Sequence, residues 1–287
     1  MNVLLTGAAG QVGRALAALV PAGMSVRALT HAQLDVTDAH AVAQTVAAAR
    51  PDAIINAAAY TQVERAEEEP GLAQAVNGEG PGHLARAART AGARLVHIST
   101  DFVFDGTSSV PYGPEAPTHP LNVYGRSKRS GEEQVLTLFP ERALVLRTSW
   151  VYAPWGANFL RTMLRLMGSG QAVRVVADQV GTPTSARSLA RVIWQLIARP
   201  ELGGVHHWSD AGVASWYDFA VAIAEEGRRR GILRAEVSVT PISTAEYPTR
   251  ARRPAYSVLD TRSLAMLAAP RHWRAELADV LDELARA

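Results

Sequence analysis

No cysteine occurs anywhere in this chain of 287 residues. That absence excludes disulfides, thiolate catalysis and cysteine-ligated zinc, and it is compatible with a reducing, cytoplasmic setting. Long apolar runs are missing too. Residues 15–20 form an apolar stretch that Pro21 stops, far short of the roughly 20 residues a bilayer requires. The opening Met1-Asn2-Val3-Leu4-Leu5-Thr6-Gly7 carries no basic segment and runs straight into glycines. It reads as a buried strand rather than a signal peptide, and no membrane partner is expected.

Lysine is the third scarcity. Of the 29 lysines and arginines, Lys128 is the sole lysine, and it stands four residues after Tyr124. An ammonium is a compact charge on a flexible stem, whereas a guanidinium is a wide fork that stays charged. On a helix, positions i and i+4 share a face about 5–6 Å apart. A cation there would stabilise a tyrosinate and lower the phenol from about 10 towards working pH, which makes a general acid. An exposed helical pair without chemistry is the ordinary alternative for a lone Tyr-x-x-x-Lys.

The net charge of +2 and the basic pI near 9.1 do not single out nucleic acid. Arginines are scattered among acids, and only Arg228-Arg229-Arg230 and the group Arg250, Arg252 and Arg253 cluster. No aromatic residues interleave with them as a stacking platform would demand. At 48% hydrophobic and 20% charged, the composition is that of a globular protein with one large core, or one nucleotide-binding unit and a smaller lobe.

Short apolar runs alternate with helical patterns through the first half. Strands are expected over residues 3–6, 25–29, 53–56, 94–99 and 143–147, with helices over 12–20, 39–49, 72–91 and 123–138. This rhythm predicts right-handed crossovers and a Rossmann-like, doubly wound parallel sheet. Asp38 suits a helix N-cap, and Gly92 and Pro140 mark helix ends. After Arg147 the pattern changes: all six tryptophans lie beyond residue 149. Residues 1–150 are therefore read as a dinucleotide-binding domain and residues 151–287 as mainly a smaller α/β substrate lobe, with later segments crossing back to complete the first.

Gly7-Ala8-Ala9-Gly10-Gln11-Val12-Gly13 follows the first strand and opens the first helix. Glycines there permit a tight turn, close approach to a pyrophosphate and close helix–strand packing, while the helix N-terminus offers free N–H groups. A glycine-rich turn without ligand is the alternative.

This G-x-x-G-x-x-G spacing resembles the extended short-chain dehydrogenase/reductase family. Asn56-Ala57-Ala58-Ala59 is similar to its cofactor-flanking segment, Ser99-Thr100-Asp101 to its hydroxyl-bearing strand end, and Tyr124 with Lys128 to its catalytic pair. More narrowly, the chain resembles the dTDP-4-dehydrorhamnose reductase family within it. The strings that carry this are Leu34-Asp35-Val36-Thr37-Asp38, the run from Ser99 through Phe102 to Gly106, Pro120-Leu121-Asn122-Val123-Tyr124-Gly125, the run from Arg147 to Tyr152, and the run from Asp178 to Thr184.

The resemblance implies reduction of the C4 ketone of dTDP-4-dehydro-β-L-rhamnose to dTDP-L-rhamnose, with hydride from a nicotinamide and a proton from Tyr124. Lys128 would lower Tyr124 and hold the nicotinamide ribose, and Thr100 would hold the ketone oxygen. Gly7, Gly10, Gln11, Val12, Gly13, Ala57, Ala58, Ala59, Tyr124 and Lys128 are the expected cofactor contacts, with Asp35 and Val36 beside the adenine. The substrate contacts are expected from Thr100, Asp101, Phe102, Tyr124, Trp150, Asn158 and Arg253, with Trp150 facing sugar or base and Arg253 the diphosphate. The second strand ends without the acid that usually binds a ribose 2′-OH, and Arg14 and His31 could meet a 2′-phosphate. NADPH is therefore expected, with NADH possible. Asn77 is read as a support or a helix-interior polar residue, outside the catalytic set.

Some members of this reductase family carry a metal-binding glutamate in the first helix at a dimer interface, where this chain reads Arg14-Ala15-Leu16. A homodimer is compatible with the sequence, but not one bridged in that way, and no metal is expected. Adjacent His206 and His207 would point to opposite faces of a strand. Two other readings compete: an epimerase or dehydratase of nucleotide sugars, and a non-catalytic NADP-binding regulatory subunit. Phe102 after Asp101 denies dehydration a second carboxylate, and the presence of Thr100, Tyr124 and Lys128 argues against a decayed site.

Overall fold

The computed structural model describes residues 1–286. In chain order the first part contains β1 (Asn2–Thr6), α1 (Gln11–Ala18), β2 (Ser25–Leu29), α2 (Ala39–Ala49), β3 (Ala53–Asn56), α3 (Val63–Ala66), α4 (Pro70–Gln74), α5 (Gly80–Ala91), β4 (Arg94–Thr100), α6 (Val123–Leu138) and β5 (Ala143–Thr148). Beyond these come β6 (Val151–Tyr152), α7 (Phe159–Gly168), β7 (Val173–Val176), β8 (Val180–Gly181), β9 (Thr184–Ser185) and α8 (Ala186–Ile197). The last elements are β10 (Gly204–His207), β11 (Ala214–Ser215), α9 (Trp216–Arg229), β12 (Val239–Ile242) and α10 (Trp273–Arg286).

Among the described residues, one six-stranded sheet runs in the order β10-β5-β4-β3-β1-β2, with every neighbouring pair parallel. Its strands are apolar on both faces because successive side chains enter different cores. Val3, Leu5, Ile55, Val96, Leu144 and Leu146 pack with α1 and α8. Leu4, Ile54, Leu95 and Val145 pack with α2, α5 and α6. The chain beyond residue 150 thus returns twice to this unit, through α8 and β10. A third core holds Tyr152, Leu160, Met163, Phe219, Ile223, Trp273 and Leu277, where α7, α9 and α10 meet.

Asp38 caps α2 by accepting the N–H groups of His40 and Ala41, and Gly92 ends α5 at φ 67°. The helix expected over 72–91 is interrupted. A π-helical turn at Ala75–Glu79 separates α4 from α5. Pro81 lacks an N–H to continue the ladder. Within the turn, Asn77 is fully buried, accepting from the Tyr60 N–H and donating to the Tyr60 carbonyl and the Ser127 hydroxyl. The first helix likewise ends at Ala18 rather than at residue 20.

Candidate functional site

At the carboxyl ends of the sheet strands, a cavity of about 920 Å³ lies between the sheet and the third core. The end of β4 and the turn after it deliver Thr100, Asp101 and Phe102 to it, α6 delivers Tyr124 and Lys128, and the segment after β5 delivers Trp150. Such crevices outside the carboxyl ends of parallel strands are where open α/β sheets bind ligands. A cleft of about 560 Å³ between α2 and α5 is lined by Arg50, Arg86, Arg142 and small apolar side chains, and by none of the expected site residues.

Helix α6 starts at Val123 because Asn122 caps it, its Oδ1 accepting from the Gly125 N–H at 2.8 Å. Its first turns face the sheet, which puts Tyr124 and Lys128 on one buried side. The Phe102 and Tyr124 rings meet edge to face, 5.7 Å between centroids. Lys128 is 2% exposed and its Nζ donates to the Ile98 carbonyl at 2.7 Å. Burial pushes its ammonium down to about 8, against an upward pull from Glu132. Glu132, one turn further along α6, is fully buried and bidentate with Arg147, both contacts at 2.8 Å. Burial pushes that carboxyl up, but the guanidinium outweighs it and holds Glu132 below the usual carboxylate range.

The expected lowering of Tyr124 by Lys128 is not the balance here. Burial pushes the phenol up to about 12; a hydrogen bond from the Thr100 hydroxyl pulls it down, and the charge of Asp101 pushes it up. The Lys128 ammonium is turned instead to the Ile98 carbonyl.

The glycine turn packs as its spacing implies. Gly7 sits at φ 70°, and a Cβ on it would lie 2.5 Å from the Ala57 backbone. A Cβ on Gly13 would collide with the Gly7 carbonyl. Gly10, Gln11, Val12, Ala57 and Ala59 line the cavity, whereas Gly7, Gly13 and Ala58 lie behind it and bring the loops together. Gly10 is the N-cap of α1 with no side-chain capping bond, and no acid occupies the first turn. The free N–H groups there suit an anion.

At four places the side chains are held by partners that the sequence does not show. Asp35 and Val36 do not line the cavity: the Asp35 carboxylate accepts from the Thr37 N–H and hydroxyl, and Val36 is buried against Gly80. Arg14 is drawn over the Trp155 ring, 4.9 Å from its centroid, and His31 is exposed beyond β2, 4.0 Å from the Asp35 carboxylate. Asn158 reaches the cavity wall, yet its Oδ1 caps α7 through the Arg161 N–H. Its amide hydrogens go to Gln11 Oε1 and the Ala153 and Trp155 carbonyls. Trp150, at φ 44°, does not present a bare face: it stacks on Trp216 at 3.5 Å and 4°, with Gly181 directly beneath. Arg253 does reach the cavity, paired with Glu64 at 2.7 Å. His206 turns to Ser263 and Gly203, and buried His207 to Tyr112 and Arg147.

Sequence reasoning missed Glu64, Ser257 and Trp216. Ser257 donates to Asp101 at 2.6 Å across 156 positions of chain. No local pattern announces such a contact; only the aromatic character of Trp216 offered a signal.

Comparison with known proteins places these features in a family. The family described as RmlD substrate binding domain matches residues 1–286. The spore coat polysaccharide biosynthesis protein SpsK of Bacillus subtilis is 42% identical over 284 residues, 98% of this chain and 97% of that protein. A dTDP-4-dehydrorhamnose reductase of Aggregatibacter actinomycetemcomitans is 41% identical, covering 97% of this chain and 98% of its own length. The crystal structure of a dTDP-4-dehydrorhamnose reductase from Bacillus anthracis in complex with NADP superimposes with a TM-score of 0.93 at 37% identity, over 98% of this chain and 99% of that one. A glycine turn, a Ser-Thr-Asp strand end and a Tyr–Lys pair thus share one cavity in a chain matched from end to end, and the chain belongs to the RmlD substrate-binding domain family.

Proposed function

We propose that this protein reduces the C4 ketone of dTDP-4-dehydro-β-L-rhamnose to dTDP-L-rhamnose with NADPH. The observation that carries the reading is the convergence of Thr100, Tyr124 and Lys128 on the cavity that the uncapped N-terminus of α1 also borders. Relatives named as reductases of this substrate, matched along nearly the whole chain, support it, as does the NADP bound by the Bacillus anthracis relative.

The residues present fit a dinucleotide. Gln11 and Val12, in the first turn of α1, offer backbone N–H groups to a pyrophosphate, and the glycines allow close approach. Reduced nicotinamide supplies the hydride when bound. The chain's own work is to place the ketone and deliver a proton as negative charge grows on its oxygen. The Tyr124 hydroxyl gives that proton, and the Thr100 hydroxyl donates to the same oxygen. Lys128, buried behind them and fixed to the Ile98 carbonyl, would hold the nicotinamide ribose. Arg253 faces the diphosphate, and the indole pair of Trp150 and Trp216 forms an apolar wall.

Purified protein mixed with NADPH and enzymatically prepared dTDP-4-keto-6-deoxy sugars should oxidise NADPH, followed by loss of reduced-nicotinamide absorbance. The dTDP-4-dehydro-β-L-rhamnose epimer should react fastest. No oxidation with any epimer would sink the reading.

A further inference from the structure

The Thr100 hydroxyl has one hydrogen to give. Its Oγ1 donates to Oδ1 of Asp101 at 3.1 Å and accepts from the Phe102 N–H at 3.2 Å, and the Tyr124 phenol, whose acidity it strengthens, lines the same cavity. Asp101 is 1% exposed, and its other oxygen takes the Ser257 hydroxyl hydrogen at 2.6 Å. The groups facing this carboxyl are therefore Thr100 on its own strand end, Tyr124 from α6 and Ser257 from the segment beyond Arg253. Among the described residues no lysine or arginine pairs with it.

We propose that Asp101 is a positioning residue that sets the direction of the Thr100 hydroxyl, held in place by Ser257. Ionised, Asp101 draws the Thr100 hydrogen to itself. Protonated from solvent, it donates its own hydrogen to the Thr100 oxygen, and the Thr100 hydrogen turns towards Tyr124 and the substrate ketone. The carboxyl exchanges its proton only with solvent and passes none to the substrate, so the rearrangement needs no co-reactant. This rests on the reductase reading of the cavity and deepens it.

The energetics allow both states near neutrality. Burial pushes the Asp101 carboxyl up to about 7, although the Ser257 and Thr100 hydroxyls pull it down. An ionised Asp101 also raises Tyr124, making it a weaker acid. Both effects favour reduction when Asp101 is neutral.

The test compares kcat/KM against pH for the wild type, Asp101→Asn and Ser257→Ala. The wild type should lose activity as pH rises through about 7. Ser257→Ala removes a hydrogen bond to the anion, so its limb should move to higher pH. Asp101→Asn carries an amide that donates to Thr100 at every pH, so this limb should vanish, leaving only losses from Lys128 nearer 8. A uniform drop in rate with unmoved limbs in both variants would overturn the proposal. A carbon-13 titration of the Asp101 carboxyl in the cofactor-free protein needs no turnover and separates this idea from the reductase reading. A midpoint near 7 supports it, and a midpoint in the ordinary carboxylate range near 4 overturns it.

Discussion

Glu64 Oε1 lies 2.7 Å from Nη2 of Arg253, while its other oxygen accepts the backbone N–H groups of Arg250 and Ala251 at 2.9 and 3.3 Å. The guanidinium expected to meet a diphosphate thus has a carboxylate partner at the cavity wall, and the same carboxylate ties down the loop that carries it. Binding a diphosphate would trade one anionic partner for another rather than leave a bare charge.

Arg253→Ala should therefore act on binding more than on chemistry. A charge-assisted hydrogen bond contributes about 1.5–3 kcal/mol, so KM for the nucleotide sugar should rise about tenfold or more. The turnover number should fall much less. Initial rates at varied sugar concentration and saturating NADPH measure both. An unchanged KM would remove Arg253 from the substrate site.

Lys128→Arg keeps the charge but changes its shape. The site is 2% exposed and shaped around one ammonium that donates to the Ile98 carbonyl. A planar fork cannot reproduce that bond without moving α6 or β4. Turnover should drop by about 10² or more, the usual scale for losing acid–base function. Circular dichroism should show a folded protein. Near wild-type turnover would contradict the role given to this lysine.

The same lysine predicts how stability varies with pH. Its folded pKa, about 8, lies below the ordinary 10.5. Between those values the unfolded chain binds more protons than the folded one, so stability rises with pH across that window. Below about 8 both states hold the proton, and the full cost of burying the charge is present. Lys128→Met should remove this rise between pH 8 and 10.5, and it should be more stable than wild type at pH 7. Denaturant titrations at several pH values test the slope; equal slopes in both proteins would refute it.

Asn158→Ala should behave as a structural lesion. It removes the cap of α7 and the contact to Gln11 in the glycine turn. Loss of an N-cap costs about 1–2 kcal/mol, visible as a lower Tm. NADPH affinity should weaken because Gln11 loses a partner, while KM for the sugar should move little. A large change in sugar KM at unchanged Tm would instead favour the substrate role that the sequence suggested.

The parts of this protein that read clearly from sequence are those governed by local repetition. Strands 25–29 and 53–56 and helices 39–49 and 123–138 fall where apolar spacing and caps place them. The break at Ala75–Glu79 was not legible, because it depends on Asn77 reaching the Tyr60 backbone and Ser127. Asn158 shows the same limit from the other side: its nearness to the site was expected, but not the three oxygens that take its amide hydrogens.

The sequence by itself determined the parallel sheet, the glycine turn and the single lysine four residues after Tyr124. These follow from the fixed periods of strand and helix and from the conformations only glycine adopts easily. Tertiary structure alone decided where charges go. It turned Lys128 to the Ile98 carbonyl, set Glu64 against Arg253 and brought Ser257 to Asp101. Burial and the nearest partner set a group's acidity, and neither is a property of its neighbours along the chain.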